Sequence, residues 1–163
     1  MAVVHMRIDN RLIHGQVTTT WVGNIGADYL VVTNDKVAND PVQKMLLPQA
    51  ARGVPTKVLS IKDTLNFVKS AEAQKGKVMI VAKLPTDALT LLEDGLQPAE
   101  INVGNQAPVP GTKFKMVTHS IAVTAADAEV YRAIAAKGYT LTCKMMPSDR
   151  PTDFLEALKK NKL

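Results

Sequence analysis

Cysteine is almost missing from this chain of 163 residues, in which Cys143 stands alone. An internal disulfide is therefore excluded. A four-ligand zinc site would have to recruit His5, His14 and His119, whose separation fits no metal motif. Long apolar runs are missing too: none approaches the roughly 18 residues that cross a bilayer, and no apolar stretch follows a basic segment at the beginning. The expectation is a soluble, cytoplasmic protein without a signal peptide. Aromatic residues make up only 4% and form no series on which nucleobases could stack. Glycines form no G-x-G-x-x-G, and Gly104-Asn105-Gln106 lacks the lysine and spacing of a P-loop. No serine, Ser60, Ser120 and Ser148 included, occupies a G-x-S-x-G turn, which argues against a serine hydrolase.

What is present suits one globular domain over residues 1–163. Apolar residues amount to 46%, enough for a core at this length. The net charge of +5 asks for an acidic partner, but the basic residues are dispersed, and only Lys159, Lys160 and Lys162 cluster. Nucleic acid is thus not the expected partner.

Strand and helix signals alternate along the chain. Ala2 to Met6 reads as a buried strand and Gln16 to Asn24 as a helix, followed by a β-branched strand at 28–33 that ends in the turn-prone Asn34-Asp35. Asn39 or Asp40 with Pro41 opens a helix reaching about Ala51, and Thr56 to Leu59 is the third strand. Ser60 caps a helix up to Gly76, Lys77 to Ala82 is strand four, and Pro85 opens a helix that Gly95 closes. Glu100 to Val103 is strand five, followed by a Gly/Pro/Asn-rich loop from Gly104 to Gly111 and short extended segments at 114–117 and 120–123. A helix over 125–137, a last buried strand over 139–143 and a terminal helix from about Pro151 complete the pattern. The fold class is α/β, an open, mostly parallel sheet with helices on both faces. Ligands in such sheets bind beyond the carboxyl ends of the strands, which would bring Arg11, His14, Asn34, Asp35 and Asn105 to one rim.

The densest chemistry lies in Arg7-Ile8-Asp9-Asn10-Arg11-Leu12-Ile13-His14-Gly15-Gln16-Val17. His14 falls where a strand passes into a helix, and the amides of a first helical turn, those of Gly15 and Gln16, favour an anion such as phosphate. Arg11 can grip phosphate oxygens with two parallel hydrogen bonds, and Asp9 can orient either Arg11 or the imidazole. A histidine near neutral pH is a competent nucleophile without a large pKa shift. On chemistry alone, Asp9 and Arg11 could equally be a structural ion pair. His5 alternates into the core, His119 reads as a surface residue, and Cys143 as a small buried hydrophobe.

This stretch resembles the signature of the enzyme IIB subunits of the mannose/fructose/sorbose family of the bacterial phosphotransferase system. Asn34-Asp35-Lys36-Val37-Ala38-Asn39-Asp40, Glu100-Ile101-Asn102-Val103-Gly104-Asn105 and Met146-Pro147 extend the resemblance over nearly the whole chain. It implies that His14 takes a phosphoryl group from a phosphohistidine of the IIA protein or domain and passes it to sugar entering through membrane IIC and IID subunits. Arg11 would neutralise the phosphate charge and Asp9 hold the arrangement, with Arg7, Asn34, Asp35 and Asn105 on the surrounding partner-facing rim. The resemblance implies no metal or nucleotide cofactor, only a covalent phosphohistidine intermediate, and association with the membrane transporter; a homodimer is compatible with it. Many members have Gly-Met where Asn105 and Gln106 stand, and Asn105 is similar to the amino-sugar branch, which favours an N-acetylhexosamine or a related hexose. The alternative from another class is a non-enzymatic anion-binding or regulatory module.

Overall fold

In the computed structural model, which describes residues 2–163, β1 (Val3–Asp9) forms the middle of a seven-stranded sheet. It is flanked by β4 (Val78–Ala82) and β5 (Ile101–Asn105), both parallel to it. Beyond β4 lie β2 (Tyr29–Thr33) and β3 (Thr56–Leu59), so the sheet reads β3-β2-β4-β1-β5 before its short far edge.

Alternation along the central strands explains why they are apolar throughout. On one face Met6, Ile8, Val31, Val78, Ile80 and Val103 pack into a core shared with the helices α4 (Ile61–Val68), α6 (Pro85–Glu93) and α7 (Ala125–Ala136). On the other, Leu30, Val32, Met79 and Val81 pack against Trp21 and Val22 of α1 (Gly15–Ile25). A strand buried on both faces has no polar side, as expected for a parallel sheet. The α/β architecture with helices on both faces is therefore the one the sequence pattern predicts.

Several local expectations are corrected. A one-turn helix α2 (Asp35–Ala38) precedes α3 (Pro41–Ala50), because Asn34 Oδ1 accepts from the Val37 amide and closes the turn. The single helix expected up to Gly76 breaks into α4 and α5 (Ala71–Gln74). There the Ser70 hydroxyl donates to the Phe67 carbonyl and accepts from the Ala73 amide, a local alternative to the helical ladder. The two extended segments form a separate antiparallel hairpin, β6 (Phe114–Thr118) with β7 (Ile121–Thr124). The last strand is only β8 (Thr142–Cys143), and the carbonyl of Leu141 just before it accepts from the Phe154 amide. An unforeseen antiparallel strand, β9 (Thr152–Asp153), covers that edge before α8 (Phe154–Lys160).

Two further corrections bear on function. β1 continues past Met6 to Asp9, and β5 continues past Val103 to Asn105, with Asp9 paired to Asn105 across a register shift. Charged and glycine-containing stretches that read as loop are thus parts of central strands. Among the described residues, no helix is long and apolar enough to cross a membrane.

Candidate active site

A buried polar cluster at the carboxyl end of β1 carries the site. Arg7 and Asp9 alternate with Met6 and Ile8, so they leave the strand on the Trp21 side of the sheet, where they are 2% and 1% exposed. Their burial is compensated at close range. Asp9 Oδ2 accepts from Arg7 Nε at 3.2 Å, and Asp9 Oδ1 accepts from the Arg11 amide at 2.9 Å. The Arg11 guanidinium leans on the same carboxylate, Nε at 3.5 Å from Oδ1 and Nη2 at 3.5 Å from Oδ2. Asp9 thus holds both guanidiniums and makes no hydrogen bond to His14 among the described residues.

Arg7 is the correction to the expected rim. Its Nη1 donates to Asn102 Oδ1 at 2.6 Å and to the Lys144 carbonyl at 3.0 Å, and its Cζ lies 5.2 Å from the Trp21 ring centroid. Burial lowers its pKa from the ordinary value, against the opposing pull of Asp9. A guanidinium so enclosed supports the site from beneath and presents no charge to a partner.

Arg11, in contrast, is half-open. Its backbone belongs to a tight turn in which the Leu12 amide donates to the Asp9 carbonyl, and Leu12 takes a left-handed φ of 65° while its side chain is buried. With its amide oxygen turned to Arg11, Asn105 accepts from Arg11 Nε at 3.2 Å and donates to the Ser120 carbonyl. Arg11 Nη2 also meets Met145 Sδ at 3.2 Å. Nη1 of Arg11 has no partner among the described residues and is available to an incoming anion. Asn105, expected on the open rim, is therefore a buried contact of Arg11.

His14 is the N-cap residue of α1, at φ −121° and ψ 73°. Its amide donates to Thr18 Oγ1 at 2.8 Å, which fixes the backbone, while the exposed imidazole makes no hydrogen bond among the described residues. Gly15 follows with φ +47°, a left-handed turn that lets the helix start immediately after the histidine. The amides of Gly15 and Gln16 have no carbonyl partner among the described residues, as expected for the first turn of a helix. Two guanidiniums against one carboxylate, together with the positive end of α1, give the site a net positive field. Such an arrangement can hold an anion beside an accessible nucleophilic nitrogen.

Asn34 and Asp35 do not join this cluster. Asn34 Nδ2 donates to Asp87 Oδ2 at 2.9 Å, and Asp35 Oδ1 accepts from the Ile61 amide at 2.9 Å, so both brace the turns after β2. Short polar residues next to a helix start were spent on capping.

Other contributors lie outside the residues that the motif singles out. Asn10 clamps the loop after β5, its Oδ1 accepting from the Ala107 amide at 2.9 Å and its Nδ2 donating to the Ala107 carbonyl at 3.0 Å. Trp21 Nε1 donates to the Met145 carbonyl at 2.8 Å, which ties the loop after β8 to α1. That loop follows a strand's carboxyl end, a signal that could have placed it on the rim.

The remaining histidines and the cysteine lie where expected. His5 is 1% exposed, stacks on Trp21 and pairs through Nδ1 with Glu100; His119 is exposed in the β6–β7 turn. Cys143 is buried, and burial raises its thiol pKa. Among the described residues, no group of three acidic, histidine or cysteine side chains could hold a metal ion.

Residues 3–163 match the family described as PTS system sorbose subfamily IIB component. The chain is 33% identical over 157 residues to the N-acetylgalactosamine-specific phosphotransferase enzyme IIB component 2 of Escherichia coli (strain K12), covering 96% of this chain and 98% of that protein. It is 30% identical over 161 residues to the mannose-specific EIIAB component of the same strain, covering 98% of this chain and 49% of that protein. The crystal structure of the IIBSor domain of the sorbose permease from Klebsiella pneumoniae superposes with a TM-score of 0.91 at 32% identity, covering 98% of each chain. With a family match over residues 3–163, relatives of 30% identity or more over nearly the whole chain and a shared fold, the chain belongs to the sorbose-subfamily IIB components of the sugar phosphotransferase system, and is a phosphotransferase.

Proposed function

We propose that His14 is the phosphoryl carrier of this IIB protein, loaded from a phosphohistidine of a IIA protein or domain and unloaded onto a sugar entering through membrane IIC and IID subunits. The observation that carries this reading is the exposed imidazole of His14 at the start of α1, which makes no hydrogen bond among the described residues and follows the half-open Arg11 by three positions in the chain. The protein works at the cytoplasmic face of the transporter. The similarity to a relative named as a fused EIIAB component supports a IIA partner.

In the loading step, the lone pair of a neutral His14 nitrogen attacks phosphorus in line with the breaking P–N bond of the donor. The bonding pair returns to the donor ring, which leaves as neutral imidazole if its other nitrogen carries a proton, and His14 becomes the phosphoimidazolium. The phosphoryl oxygens gather negative charge that Arg11 Nη1 and the Gly15 and Gln16 amides are placed to receive. No metal or nucleotide takes part in this step. Asn105 and the similarity to the N-acetylgalactosamine-specific relative support an N-acetylhexosamine or related hexose as the sugar.

Mass measurement after incubation with phosphorylated IIA tests the reading. The wild type gains one acid-labile phosphoryl group that moves to sugar when membranes are added, whereas His14→Ala keeps its fold and gains none. Full acid-labile labelling of His14→Ala overturns the assignment. Reversible phosphate binding without a covalent adduct would instead make the protein an anion-binding module.

A further inference from the structure

Arg52 lies outside the motif that defines the site, yet reaches it. It follows Ala51, a fully buried residue that ends α3, and adopts a left-handed φ of 52°, with Gly53 next at φ 90°. The Val54 amide donates to the Ala51 carbonyl and closes this turn. Such a backbone is disfavoured for a side chain larger than glycine's, so the position pays a strain that Gly would avoid. Among the described residues, the exposed Arg52 guanidinium makes no ion pair and no hydrogen bond. Its Nη2 nevertheless stands 3.9 Å from the point where a Cβ on Gly15 would lie, beside the residue that follows His14.

We propose that Arg52 is a further phosphate-binding residue, holding oxygens of the phosphoryl group on His14; this rests on the carrier reading above. The charge balance favours it. Asp9 already engages both Arg7 and Arg11, so their positive charges are partly neutralised. Arg52 pairs with no carboxylate among the described residues, and its Nη2 lies close to Gly15, the residue after His14. A phosphoryl group presents three oxygens, and Arg11 and Arg52 come from different segments, the turn after β1 and the turn before β3. Two planar forks of this kind can take separate oxygens while the Gly15 and Gln16 amides meet the third. No bond is made or broken at Arg52; it neutralises and orients.

Arg52→Gly is the informative variant, because it removes the side chain and the backbone strain together. Its melting temperature should equal or exceed that of the wild type. Inorganic phosphate, titrated while the Gly15 and Gln16 amide resonances are followed, should bind it about fivefold to tenfold more weakly. Phosphorylation of His14 by phosphorylated IIA should slow by a similar factor, with Arg52→Lys falling between the two. Wild-type phosphate affinity in Arg52→Gly overturns the proposal, as does a wild-type protein whose Gly15 and Gln16 amides ignore phosphate. A wild type that accepts no phosphoryl group would refute the carrier reading alone, because the titration still decides the role of Arg52.

Discussion

The guanidinium of Arg7 occupies the space that a side chain on Gly104 would need: an ideal Cβ there would lie 2.1 Å from Arg7 Cζ. The two residues sit on neighbouring central strands, and the absence of a Cβ at Gly104 leaves the room in which the Arg7 guanidinium reaches Asn102 and approaches the Trp21 ring. Both Arg7 and the backbone of β5 are enclosed, so neither can move aside freely. Gly104→Ala should therefore destabilise the protein by about 2 kcal/mol, in the range of core overpacking, and slow phosphorylation of His14 by disturbing Asp9. Urea unfolding at unchanged m-value measures the first effect. A variant as stable as the wild type would mean that Arg7 has another place to go.

That contact also shows why part of the site could not be read from the sequence. Alternating strand and helix signals gave the parallel sheet because each core strand is buried on both faces, and the His14 motif stood out through its density of charge. Gly104 and Asn105 read as loop, since the composition that marks a turn also marks a strand crossed by a guanidinium. Arg7 read as a rim cation, since nothing local says that Asn102 and the Lys144 carbonyl will enclose it. Arg52 was invisible for a different reason. Its turn leads into the start of β3, and the rule about carboxyl ends does not point there.

Asp9 is the hinge of the charge arrangement. Replacing it with alanine leaves the buried Arg7 guanidinium without its counter-charge, a change expected to cost about 3 kcal/mol. Asp9→Asn should cost less, because an amide oxygen can still accept from one guanidinium. In both variants Arg11 loses its anchor, so transfer to His14 should fall further than stability alone explains. Comparing unfolding free energies with single-turnover phosphorylation rates separates the two. Equal stability of Asp9→Ala and wild type would show that Asn102 and the Lys144 carbonyl suffice for Arg7.

Arg11→Lys asks whether shape or charge matters at the mouth of the site. Arg11 spreads its donors over Asp9, Asn105 and Met145 and keeps Nη1 for an anion. A lysine ammonium can satisfy the carboxylate or the phosphate oxygens, but lacks the planar fork that does both. Transfer should slow about tenfold, equivalent to about 1.4 kcal/mol of transition-state stabilisation, with little change in melting temperature. Wild-type transfer rates in Arg11→Lys would assign Arg11 a structural role.

Glu100 provides a test of the support beneath the site that does not depend on phosphoryl chemistry. His5 Nδ1 lies 2.6 Å from Glu100 Oε1, and His5 stacks on Trp21, whose indole anchors the Met145 loop. The hydrogen bond to His5 is the main cause that holds the Glu100 carboxyl below its ordinary value of 4.5, with partial burial pulling the other way. A depressed folded-state pKa means that the unfolded chain binds the proton more readily. The stabilisation is therefore complete above pH 4.5 and is lost as pH falls through the lower folded-state value. Because the carboxylate is largely exposed, the contribution is only about 0.5 kcal/mol. Glu100→Gln should accordingly be less stable than wild type by about that amount at pH 7, and the gap should close as both proteins are taken toward pH 3. Chemical denaturation across this range measures it, and a gap that stays constant with pH would show that the His5–Glu100 contact contributes through packing alone.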